Sequence, residues 1–346
     1  MSTSDENANT PIQPLWPSGS ATGIGSLPGT DIVEAVKFTL GELPDLPYLP
    51  ELPGRGPGAD MIGRSAGLLV ELPVELYAGR WRVAASPGRE LRRAYDLRER
   101  DLDQLTEQAE GFTGTLKVQS AGPWTLAANI ELALGEALVS DHGATRDLAD
   151  SLAEGLKTHV AEVRRRVPGA RVLLQLDEPS LPAVLAGRVR TASTLHTYRS
   201  VAPSTARDTI TSVIDAVGVP VIVHCCAPDA PLTLLREAGA AALALDLDLV
   251  GNGAEQIDAI GELIDAGLGL FAGVARTTPP ANGRQPDPAA LADRVKRLWR
   301  DLGFTGELLA ERVVLTPSCG LAGASPAFAR AVLTACREAG KRLVDQ

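Results

Sequence analysis

The sequence predicts an α/β protein, a (β/α)8 TIM barrel, and three observations predict it. Short β-branched apolar runs alternate with amphipathic helical stretches along nearly the whole chain, the pattern of parallel strands joined by crossover helices. Roughly seven or eight such units fit within 346 residues, which suits a barrel better than an open doubly wound sheet. Polar residues able to do chemistry collect where the apolar runs end, and barrels of this kind build their active sites there. A dinucleotide-binding sheet has no support, because GTDIVEA rather than GxGxxG follows the first run.

Residues 1–19, MSTSDENANTPIQPLWPSG, are polar and Pro-rich and read as a disordered leader, so one catalytic barrel domain is expected over 20–346. Strands are expected at 21–26 (ATGIGS), 115–120 (TLKVQS), 172–178 (VLLQLDE), 219–224 (VPVIVH), 241–248 (AALALDLD), 268–274 (LGLFAGV) and 313–318 (VVLTPS). Helical periodicity marks 128–139, 146–166, 204–217, 254–266, 287–302 and the closing 326–344. The stretch 43–60, LPDLPYLPELPGRGPGAD, is so rich in Pro and Gly that it reads as an extended loop. After a first barrel strand it lies on the catalytic face; a plain linker is the other reading.

Composition narrows the function classes. Hydrophobic residues are 45% and charged residues 22%, a globular balance with material for a core. The net charge of −10 and the lack of a basic patch argue against a nucleic-acid partner. The run Arg164–Arg165–Arg166 reads as a solvated helix face. No stretch has the length of a membrane span and the N-terminus lacks a signal-peptide pattern, so no membrane partner and a cytoplasmic location are expected. In that compartment the four cysteines (225, 226, 319, 336) stay reduced and can bind metal.

His224 and Cys226 end one apolar run, VPVIVHCC, and Cys319 ends another, RVVLTPSCG. Alternation puts His224 and Cys226 on one strand face and Cys225 on the other. Two such strands can gather one imidazole and two thiolates, a set that suits tetrahedral zinc. The plainer reading stays open, since Cys often only fills core; Cys225 and Cys336 are read that way. Asp177 and Glu178 close VLLQLDE, and Asp246 and Asp248 close AALALDLD. Either of the latter two would serve as an oxygen ligand, or would cap the following helix in solvent.

Taken in order, IGSLP (24–28), AGPWT (121–125), QLDEPSL (175–181), HCC (224–226) and PSCGL (317–321) resemble the catalytic domain of cobalamin-independent methionine synthase. The resemblance runs from about residue 20 to the end, as in short members without a second, N-terminal barrel. It implies a barrel of the uroporphyrinogen decarboxylase/methionine synthase type and a zinc cofactor held by His224, Cys226 and Cys319. The family's fourth ligand is a Glu; Asp246 is preferred here over Asp248 from its place in LALDL. The resemblance further implies that Asp177 receives the amino group of homocysteine with Glu51 as a second acid, and that Ser26 receives its carboxylate. It also implies that Arg80, in YAGRW, contacts folate. The family's folate-stacking Trp is absent after AGPWT, with Trp124 as the substitute within the motif.

The implied activity is that of a 5-methyltetrahydropteroyltriglutamate–homocysteine S-methyltransferase. The family's acid His has no counterpart in GVARTTPP (273–280), where Arg276 is permanently charged. Two methyl donors therefore stand, methyltetrahydrofolate and a methylated corrinoid protein as partner. Other readings are a zinc thiol-alkyltransferase acting on another thiol, and a non-catalytic homologue in which zinc only stabilises the fold. A related decarboxylase is disfavoured, because it needs no thiolate-bound metal. Asp177→Asn is expected to weaken amino-acid binding and leave zinc in place.

Overall fold

In the computed structural model, residues 14–250, 254–281 and 283–345 are described. The strands are β1 (Val74–Tyr77), β2 (Arg80–Val83), β3 (Gly114–Ala121), β4 (Ile130–Glu131), β5 (Ala170–Asp177), β6 (Val221–Cys225), β7 (Ala242–Asp246), β8 (Gly269–Ala275) and β9 (Val313–Pro317). The helices are α1 (Ile32–Glu42), α2 (Met61–Ala66), α3 (Arg89–Gln108), α4 (Pro123–Asn129), α5 (His142–Arg166), α6 (Leu181–Leu185), α7 (Pro203–Val217), α8 (Leu232–Glu237), α9 (Ala254–Asp265), α10 (Pro288–Leu302), α11 (Gly306–Arg312) and α12 (Pro326–Val344).

Six strands form one parallel sheet in the order β3-β5-β6-β7-β8-β9. Their sequences are apolar on both faces because both faces are covered. Leu173, Ile222, Ala244, Phe271 and Val314 fill the concave side. Their neighbours Leu174, Val223, Leu243, Leu270 and Leu315 belong to the larger core shared with the helices.

Regular ladders stop at six strands, and the expected strand at 21–26 is instead a segment joined by isolated bridges. Beyond β9, the Thr22 amide donates to Leu315 O at 3.0 Å and the Leu315 amide to Ser20 O at 3.1 Å. Beyond β3, the Leu49 amide donates to Lys117 O at 3.0 Å and the Lys117 amide to Pro47 O at 2.9 Å. These two segments also bridge each other, Glu51 N to Gly25 O at 3.0 Å and Leu27 N to Glu51 O at 2.9 Å. Gly23 permits the approach: a Cβ there would enter the Tyr48 ring.

The stretch 43–60 has no regular strand or α-helix, in keeping with its Pro and Gly content, but it is held by these bridges and by two 3-10 turns, Pro53–Arg55 and Pro57–Ala59. Leu43, Leu46, Tyr48, Leu49 and Leu52 are all buried, and the donors its bridges need fall at Leu49 and Glu51 rather than at Pro47 or Pro50. The leader is also partly structured. Residues 1–13 lie outside the described part, but Trp16 is 5% exposed and meets Phe271 edge-on at 5.0 Å between ring centroids. Its indole N–H donates to Glu311 O at 3.1 Å.

The helix expected at 128–139 is absent. α4 ends at Asn129, and β4 then joins a small sheet, β1-β2-β4, outside the main one. Gly135, at φ 94°, makes the turn that follows and favours glycine there. Among the described residues, no helix is long and apolar enough to cross a membrane.

Candidate metal centre

β5 and β6 pair in parallel with Asp177 opposite His224, so both side chains emerge at the same end of the sheet. The His224 Nδ1 lies 2.8 Å from Asp177 Oδ1. A carboxylate at that nitrogen holds the proton on Nδ1 and turns Nε2 away as an acceptor. Nε2 is buried and has no hydrogen-bond partner among the described residues.

Cys226 follows β6 directly, and Cys319 comes two residues after β9. β7 and β8 separate those strands in the sheet, yet the two sulfurs are 3.1 Å apart, because the sheet curls. His224, Cys226 and Cys319 each present a ligand atom, all within 4.8 Å of one another. The hydrogen bond from Cys226, with help from His224, lowers the Cys319 thiol to about 6. The same contact, with burial, pushes the Cys226 thiol up. One imidazole nitrogen without a partner among the described residues, beside two sulfurs in contact, is a donor set that fits a soft-to-borderline divalent metal.

Cys225 lies outside this group, is 1% exposed, and is raised to about 12 by burial. Cys336 is buried in α12 and likewise raised to about 12.

Next to the cluster lies a buried polar floor. The Gln175 amide donates to Asp177 Oδ1 at 2.7 Å and the Gln119 amide to Glu51 Oε1 at 3.2 Å. Lys117, fully buried, donates to Ile24 O at 3.0 Å and sits 5.1 Å from the Tyr48 ring centroid. Burial lowers its ammonium to about 8, against the pull of Asp177 and Glu51. Burial raises Glu51 to about 7. The Ser26 hydroxyl lies against Gly320, next to Cys319, where a Cβ would strike it. Sequence reasoning did not single out Lys117; its signal was a lone cation inside the apolar run TLKVQS.

Four of the residues considered for the site are not brought into the cluster. Asp246 does not join the metal-binding group; its Oδ1 accepts the Asp248 amide at 2.8 Å, and this short side chain caps its own turn. Asp248 is engaged by Arg294 at 2.8 Å and Arg276 at 3.8 Å. Trp124 is 1% exposed and donates to Ala206 O at 3.0 Å, so its covered ring offers no face for stacking. Arg80 is on the exposed β1–β2 hairpin, paired with Glu131 at 2.8 Å. Glu178, adjacent to Asp177, is structural: it accepts from Trp124 N, Thr125 N and Thr125 Oγ1 and so caps α4.

The chain is thus a parallel α/β protein in which an imidazole and two thiols converge at the strand ends, a group that could hold a metal ion. The chain belongs to the family described as "Cobalamin-independent synthase, Catalytic domain", which matches residues 20–342. A B12-independent methionine synthase from Shewanella sp. W3-18-1, solved in complex with selenomethionine, has a similar structure. Its TM-score is 0.62 at 12% identity, over 95% of this chain and 98% of that one. A methylaspartate ammonia lyase from Citrobacter amalonaticus aligns at TM-score 0.46 and 11% identity, over 96% of this chain and 60% of that one. No curated protein sequence matches the chain.

Proposed function

We propose that this chain is a zinc-dependent S-methyltransferase that moves a methyl group onto the thiol of homocysteine to form methionine. The observation that carries the reading is the buried His224, whose Nε2 has no partner among the described residues and which presents a ligand atom within 4.8 Å of two thiol sulfurs. Its weight comes from family membership across residues 20–342. The Shewanella structure holds selenomethionine, a ligand of the same class as the proposed product. We read the fold as a (β/α)8 barrel whose remaining two staves are the bridged segments around 20–27 and 47–51. We place the protein in the cytoplasm, where its thiols stay reduced.

His224, Cys226 and Cys319 would hold the zinc ion, which when bound supplies a Lewis acid that acidifies an incoming thiol. With three protein ligands, the ion would remain able to take up the substrate sulfur. Asp177 fixes the His224 ring through Nδ1. Asp177 and Glu51 present a buried pair of acids for the substrate ammonium, and Ser26 Oγ lies beside Gly320 to meet the carboxylate. The floor excludes water, so these contacts orient the thiol strongly.

The donor side favours one of the two expected donors. The stretch 273–280 supplies no titrating acid, and Arg276 faces Asp248. An amine leaving group needs a proton from such an acid, whereas a corrinoid leaves without one. A methylated corrinoid protein is therefore the preferred partner over methyltetrahydrofolate. Incubating the zinc-loaded protein with homocysteine and each donor in turn, then measuring methionine by mass spectrometry, tests both claims. Purified protein without stoichiometric zinc, or no methionine from any donor, refutes the reading.

A further inference from the structure

Glu51 is faced by groups of both signs: Arg64 from α2, Lys117 and Gln119 from β3, Asp177 from β5, and Tyr48 from its own segment. Burial works against its charged form, and Arg64 is the largest influence opposing burial. The Arg64 Nε lies 3.9 Å from Glu51 Oε1, with Arg64 itself only 7% exposed.

The other end of Arg64 is anchored. Its Nη1 bonds the fully buried Asp101 of α3. Asp101 also takes a two-pronged grip from Arg55, Nη1 to Oδ1 at 2.6 Å and Nη2 to Oδ2 at 2.9 Å. The order Arg55, Asp101, Arg64, Glu51 thus alternates in sign. With Asp101 matched by Arg55, the charge of Arg64 is left for Glu51. α2 is itself pinned at the site, since the Ser65 hydroxyl accepts the Ala121 amide at the end of β3 at 2.7 Å. Stability does not require such a chain, because apolar residues of similar volume often serve a core as well as buried ion pairs do. Its inner end points to the acid beside the metal cluster.

We propose that Arg64 is a positioning residue that fixes the Glu51 carboxylate toward the amino group of the thiol substrate, with Asp101 holding Arg64 in place. This rests on the reading of Glu51 and Asp177 as the acceptors of that amino group. Loss of Arg64 then harms only ligands that carry an ammonium.

The test titrates the full-length, zinc-loaded protein by calorimetry with L-homocysteine and with 4-mercaptobutanoate, the same thiol acid without its amino group. The unaltered protein is expected to prefer homocysteine by roughly 10-fold or more. Arg64→Met is expected to weaken homocysteine roughly 10- to 100-fold and 4-mercaptobutanoate by less than about twofold. Arg64→Lys, which keeps the charge but has one nitrogen to share between Glu51 and Asp101, is expected to recover part of the preference and to bind homocysteine better than Arg64→Met does. If Arg64→Met does not fold, Arg64→Gln takes its place.

Equal weakening of both thiols, a preference retained without the arginine, or a Lys variant as impaired as Met overturns the proposal. An unaltered protein that binds homocysteine no better than 4-mercaptobutanoate overturns the reading of the acid pair itself.

Discussion

Replacing Asp177 separates a role in orienting the metal ligand from a role confined to substrate. Family resemblance alone makes it a substrate acid whose loss leaves zinc in place, but its Oδ1 is 2.8 Å from the Nδ1 of His224, and both residues are buried. A charge-assisted hydrogen bond of this kind contributes about 1.5–3 kcal/mol. Asn keeps an acceptor oxygen but loses the charge, so roughly half of that, about 1–1.5 kcal/mol, is expected to go. This corresponds to zinc affinity lower by about 5- to 15-fold in Asp177→Asn. Asp177→Ala also removes the acceptor and is expected to reach about 10- to 100-fold, the usual cost of losing an outer-shell partner. Competition with a chromophoric chelator measures both constants directly. Zinc affinities within about twofold of the unaltered protein for both variants would show that the Asp177–His224 contact does not tune the metal.

Cys319→Ser is expected to lose metal and activity together, whereas Cys225→Ser, a change outside the cluster, retains stoichiometric metal; elemental analysis of the two proteins decides. Trp16→Ala is expected to destabilise the fold by about 3–5 kcal/mol, the usual range for deleting a buried Trp. The folded protein should keep its zinc content, and urea denaturation with metal analysis checks both. His159, buried in α5, is held neutral down to about 3 by burial and by the cations Arg64 and Arg98. Because the unfolded chain takes up that proton first, near 6.5, stability should fall as pH drops from about 6.5 toward about 3. Denaturation midpoints across that window should slope less in His159→Gln.

The six regular strands of the main sheet were legible in the sequence to within two residues at each end. Runs such as VPVIVH are short, β-branched and apolar on both faces, as buried parallel strands are. Their ends carried the chemistry: His224, Cys226, Cys319 and Asp177 all stand where apolar runs stop. The bridged segment 47–51 was hidden because its prolines mimic a loop, although they occupy positions whose N–H the bridges do not use. α3 was hidden by its charges. Its buried stripe of Leu91, Ala94, Leu97, Leu102 and Leu105 includes the acid Asp101, whose partners Arg55 and Arg64 come from distant positions in sequence. Asp246 shows the opposite failure. Its strand face was legible, but whether a carboxylate reaches an ion or its own backbone depends on the length of one side chain.

The two sulfurs that touch at the mouth of the sheet come from positions 93 residues apart, one of them near the C-terminal end of the chain. During synthesis the N-terminal portion emerges first and begins to fold before the rest exists. The imidazole and the first thiol must therefore wait, incomplete, until the final strand is made and docked. If the three side chains hold an ion as proposed, a chain released before β9 is made cannot capture it with the full set of ligands.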